Sequence, residues 1–168
     1  MIEIRVVGLD ELQKRNDEVG VWAKGPFRGR AAGKIRDDFL DEVGDSFSSR
    51  GRSTGTSWAP LSPAYASWKN SAYPGRPLLG LTGRMRDSFR AGSRDLIYNR
   101  KQQGQGNFGH KRLTLGTRVP YAGYHQSGTS KMPRRPLFVV NRQIANRWGK
   151  YLSADLQNAM KGKRWQDR

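Results

Sequence analysis

Two histidines, His110 and His125, and the carboxylate pairs Asp37/Asp38 and Asp41/Glu42 are the side chains from which this chain could assemble a metal or acid–base site. A zinc site needs histidines at i, i+4 on one helix face, or histidines joined by cysteines or acids. These histidines stand 15 residues apart, and the chain has no cysteine, so thiol catalysis, disulfides and Cys-based metal centres are excluded. The carboxylate pairs fall on the polar side of an amphipathic segment, where acids are solvated. General acid–base work needs them in a cleft with shifted pKa values. Glycines in GQGNFG, residues 104–109, lack the strand-to-helix setting of a phosphate loop, and no G-x-S-x-G elbow occurs. The residues predict no enzyme, no metal and no cofactor.

Charge gives a stronger direction than chemistry. Lys and Arg number 31 against 14 Asp and Glu, a formal net charge of +17. Residues 1–49 hold eight basic and ten acidic side chains, net −2, whereas residues 50–168 hold 23 and four, net +19. Such a split predicts a basic face that meets a polyanion, with a merely solubilising surface as the alternative. Basic residues interleave with Trp58, Trp68, Trp148 and Trp165, a pattern compatible with base stacking. No helix-turn-helix, RRM or KH signature accompanies it, so any nucleic-acid binding is expected to be non-specific.

The elements that would position these residues follow from periodicity. In IEIRVV, residues 2–7, apolar and charged residues alternate as in a strand with one buried face. A short helix capped by Asp10 is expected to follow, through about Val19. Ile35, Phe39, Val43 and Phe47 recur every four residues and predict a helix near 31–48. Ser62 before Pro63 reads as a cap and first-turn proline leading into 64–69, and Thr82 as the cap of a short helix through Ser88. Strands are predicted near 93–99, 112–118 and 136–140. A closing helix over 141–160 carries Ile144, Trp148, Leu152, Leu156 and Ala159 or Met160 on one face. The expected architecture is a single α+β domain, a small, mostly antiparallel sheet packed by two main helices, with mobile loops at about 48–57 and 101–111. No window approaches the roughly 18 apolar residues of a membrane span. MIEIRVVGLDEL has no apolar signal-peptide core, so the chain is expected to remain where it is made.

The order of several short motifs resembles the virion morphogenesis family of tailed bacteriophages, which supplies tail-completion and head-to-tail joining proteins. The matching residues are Trp58, Pro60 and Leu61; Thr82, Gly83, Met85, Arg86 and Ser88; Tyr121, Ala122 and His125; Gly128 and Thr129; and Arg135 and Pro136. Together they cover about residues 35–160. The insertion near 101–111 and the loop at 48–57 stand outside the pattern. The resemblance implies a structural virion protein of the head–tail neck, assembled in the host cytoplasm. It would form a hexameric or dodecameric ring around the DNA channel, with other neck proteins as partners (a connector or adaptor, a tail terminator or a tail tube). A non-specific nucleic-acid-binding protein is the alternative.

Within that frame, YAGYHQSGTSKMPRRPLFVV, residues 121–140, reads as a rigid bracket. Pro120 sets its start, Gly128 supplies a positive φ, and Pro133 and Pro136 keep the backbone extended. Arg134 and Arg135, with Tyr124 and His125, are expected to face a neighbouring subunit. The aromatics could instead pin the loop on the core. Asp38 and Asp41 are expected to meet Arg84 and Arg86 of an adjacent copy in a head-to-tail contact. Arg90, Arg94, Lys111 and Arg112 are candidates for the DNA channel.

Overall fold

The computed structural model describes residues 30–101 and 112–161. Over these residues the fold is α+β, as expected. It consists of helices α1 (Arg30–Ser49), α2 (Pro63–Ala72), α3 (Arg84–Asp87), α4 (Ala122–Ser127) and α5 (Arg142–Met160), with strands β1 (Leu96–Lys101) and β2 (Arg112–Thr117). The two strands pair antiparallel. The strand expected at 2–7, the helix after Asp10 and the insertion at 102–111 lie outside the described residues.

The described residues fall into two compact units. Residues 30–35, 99–101, 112–114 and 142–161 form one, and residues 36–98 and 115–141 form the other. In the first, the start of α1 buries Ala31, Ala32 and Ile35, and α5 buries Ile144 and Ala159. Between Ala159 and Met160 it is Ala159 that turns inward, while Met160 is half exposed. The α5 stripe contains a surprise, a buried Asp155 whose carboxylate accepts the Ala31 N–H at 2.6 Å. The first N–H groups of any helix lack intrahelical partners, and here a carboxylate from 124 residues away satisfies one of them. Burial pushes the Asp155 carboxyl above its ordinary range, against the opposing pull of the Ala31 N–H, Lys34 and Arg30. Asp155→Ala is expected to cost about 1–2 kcal/mol. Asp155→Asn, which keeps an accepting oxygen, should cost less, and urea midpoints of the two variants measure the order.

The second unit is built around α1 from Phe39 onward. Phe39 lies edge-on to Phe89 and Phe138 at 6.0 and 4.8 Å between centroids. Val43, Trp58, Met85, Val119, Ala122 and Leu137 complete the buried apolar set. Each such large side chain contributes about 1.5–3 kcal/mol by leaving water. Arg36 lies over the Tyr98 ring at 5.2 Å, which joins α1 to β1 within this unit.

Two expected features are corrected. Residues 48–57, expected as a mobile loop, form a hydrogen-bonded turn. Arg50 and Gly51 take left-handed φ values of 55° and 84°, and the Gly51 N–H returns to the Ser46 carbonyl at 2.8 Å, closing α1. A 3₁₀ turn over Arg52–Thr54 follows, and the Trp58 N–H reaches the Arg50 carbonyl at 2.9 Å. The glycines that looked like disorder supply the turn's φ values. Residues 136–140, expected as a strand, join no sheet. At Leu137 and Phe138 the backbone is met instead by the side chain of Gln126, which accepts their N–H groups at 2.9 and 3.2 Å and donates to the Phe138 carbonyl at 2.7 Å. An amide side chain offers a donor and an acceptor and so imitates one rung of a strand.

Candidate functional site

The expected bracket forms, and its parts follow local rules. Pro120 precedes α4, which ends at Gly128 with φ 77°. A Cβ there would lie 3.0 Å from the Arg134 backbone nitrogen, a tight approach added to a φ that favours glycine. Thr129 and Met132 bridge to each other, their N–H to carbonyl distances being 2.9 and 3.2 Å. The chain then returns along α4, where the Arg135 N–H donates to the His125 carbonyl at 2.8 Å.

Of the two arginines expected to project outward, only Arg134 is exposed, its Nε on the Gln126 carbonyl at 3.1 Å. Arg135 is corrected: it points inward, is 3% exposed, and donates to the carbonyls of Ala59 and Pro60, each at 2.8 Å. Next to it the Trp58 indole N–H donates to the Pro136 carbonyl at 2.8 Å. The WAPL segment and the bracket are thus cross-linked through buried polar groups. In a separate set of bonds, Ser88 accepts from the Thr117 hydroxyl at 2.7 Å while donating to the Met85 carbonyl at 2.6 Å. Thr82 stands just before the start of α3, where Gly83 with φ 80° takes the cap position.

This framework encloses an open groove of about 830 Å3, entirely within the second unit. Leu61, Leu79, Leu81, Met85 and Met132 give it an apolar lining, and Tyr65, Tyr121 and Tyr124 stand at its exposed edge. Tyr65 stacks on Trp68 at 5.3 Å, and Trp68 meets Tyr73 edge-on at 5.7 Å, all three exposed. Lys69 lines the groove too, 2% exposed, its Nζ donating to the carbonyls of Pro77 and Leu78. Burial lowers the pKa of both Lys69 and Arg135. Tyr124 is 58% exposed, which settles its alternative: it faces outward rather than pinning the loop.

His125 also lines the groove, with Nδ1 buried and lacking a partner among the described residues. Burial, reinforced by the nearby Arg135 charge, pushes its pKa below 6.5. The unfolded chain therefore binds the proton more readily than the folded one. The stability associated with neutral His125 is complete above pH 6.5 and is lost as pH falls below it. Urea midpoints taken at pH 7.5 and 5.5 should drop for the native chain, and the drop should shrink in His125→Gln.

The remaining predicted residues do not line this groove. Asp41, Arg86 and Arg90 line a second groove of about 500 Å3, so acids and arginines expected to meet between copies share one face of a single chain. Asp38 is half-buried on α1. Arg84 pairs with Asp95 at 3.1 Å, and both Arg86 and Arg90 reach Asp87, at 3.4 and 3.3 Å. These exposed pairs contribute little to stability. Arg94 is exposed, Arg112 opens β2, and Lys111 lies outside the described residues. Among the described residues no group of three acids or histidines gathers as metal ligands, and no helix is long and apolar enough to cross a membrane.

Sequence reasoning missed Gln126, Lys69 and the exposed aromatic edge. The i, i+3 spacing of Tyr65 and Trp68 on a helix with few apolar partners was the available signal. Compared with family models, curated proteins and solved structures, the chain matches none.

Proposed function

We propose that this chain is a structural component of the tailed-phage neck, a tail-completion or head-to-tail joining protein that assembles into a ring around the DNA channel. The supporting observation is the convergence of the segments that carry the resemblance. Trp58, Pro60, His125, Arg135 and Pro136, drawn from two stretches far apart in sequence, are tied together by hydrogen bonds that run through the buried Trp58 and Arg135. A framework that uses these polar groups for rigidity leaves its surface, rather than a reaction centre, for function. The exposed aromatics Tyr65, Trp68 and Tyr124 are of the kind that dominate protein interfaces.

Negative-stain imaging and light scattering of the purified protein test the proposal. Closed rings with a central opening are the expected result, and a monomer at every concentration would reject it. Exposure of Arg84, Arg86, Arg90 and Arg94 along one segment favours a second reading, non-specific nucleic-acid binding by the single chain. That reading predicts sequence-independent duplex binding by the monomer, collapsing between low and moderate salt. Salt-insensitive binding would contradict it.

A further inference from the structure

A buried cation is costly unless an anion accompanies it. The 830 Å3 groove is lined by two, Lys69 and Arg135, at 2% and 3% exposure. Among the described residues both are held only by neutral carbonyls, those of Pro77 and Leu78 and those of Ala59 and Pro60. Among the described residues no carboxylate lines the groove, and exposed Lys131 adds a third positive charge at its edge. Desolvation lowers the pKa of both buried groups with no acid pulling the other way. Among the described residues the groove thus combines an apolar lining, an aromatic edge and positive charge with no carboxylate beside it.

We propose that this groove is a docking site for a segment of a partner protein that inserts an apolar side chain against Leu61, Leu81 and Met85 and presents a carboxylate to the Lys69, Arg135 and Lys131 charges. Charge complementarity names the occupant. A nucleic-acid backbone seeks protruding, solvated arginines, whereas these two cations are recessed beside apolar walls. Among the described acids of a second copy, Asp87 and Asp95 already pair with arginines, Asp155 is buried against Ala31, and Asp37 and Asp41 line the other groove with Arg86 and Arg90. The proposal goes beyond the neck reading and does not require the ring.

A displayed library of random dodecapeptides, selected on the full-length protein, tests it. Enrichment of an Asp or Glu beside Leu or Phe is expected. A synthetic peptide from the selected pool should bind at least about tenfold more tightly than its Asn or Gln twin. Tyr124→Ala and Lys131→Glu, both at exposed positions, should each weaken that peptide about fivefold or more while leaving the melting temperature unchanged. No enrichment, enrichment without acids, or equal binding by the twins would overturn the proposal. Displacement of the peptide by duplex DNA, with DNA binding also weakened in Tyr124→Ala, would overturn it in favour of nucleic acid. A concentration-dependent dimer lost in Tyr124→Ala, with no peptide selected, would overturn it in favour of a second copy.

Discussion

Trp58→Ala is expected to lower stability by about 3–5 kcal/mol, the range for removing a large aromatic from a packed core. The indole is 7% exposed, lies edge-on to Phe47 at 5.5 Å, and donates to the Pro136 carbonyl. Its loss opens a cavity and strands that carbonyl, so the WAPL segment and the bracket lose one of their direct ties. Trp58→Phe weights the two effects differently, because it keeps most of the volume and removes the donor. It should fall between the native chain and the alanine variant. Gly51 bears on the same ring: a Cβ there would sit 2.4 Å from Trp58 Cδ1 and 2.5 Å from the Thr56 carbonyl oxygen. Urea unfolding followed by circular dichroism gives the measurement, and a loss below about 1 kcal/mol for Trp58→Ala would show that the indole is not the tie described.

Gln126→Ala is expected to cost about 2–4 kcal/mol, because one substitution removes three hydrogen bonds and leaves two N–H groups and a carbonyl to find water. The clamp holds Leu137, which is buried, and Phe138, whose ring packs on Phe39. Loosening it frees the outgoing arm of the bracket. Gln126→Glu keeps the acceptor for both N–H groups but sets a carboxylate against the Phe138 carbonyl. It should therefore cost less than alanine and more than nothing. Amide hydrogen exchange at Leu137 and Phe138 reports the effect locally. Protection in Gln126→Ala equal to that of the native chain would remove the clamp from the account.

Periodicity was enough to place the helices. Apolar residues every four positions in α1 and α5 have one way to leave water, and the observed spans begin and end within a residue of those expected. Ser62 with Pro63 marked the start of α2, and Gly128 the end of α4, because the fixed φ of proline and the free φ of glycine are properties of single residues. The strand expected at 136–140 failed for a reason outside the window: its apolar run is satisfied by Gln126, eleven positions back. The loop at 48–57 failed similarly, since a glycine-rich stretch reads the same whether it wanders or folds over a tryptophan. The candidate site was half legible. Motif order picked out Trp58, His125 and Arg135, but not that Arg135 turns inward.

By itself the sequence determined the helices, the α+β class, the basic excess and the bracket's proline and glycine hinges, because each depends on neighbours a few residues apart. Only the tertiary structure decided which polar groups are consumed inside and which remain for partners. Asp155 capping Ala31, Arg135 holding Ala59 and Pro60, and Lys69 recessed in its groove all depend on segments brought together by packing. A side chain's charge is written in its residue type, but its desolvation and its partners are set by the fold around it.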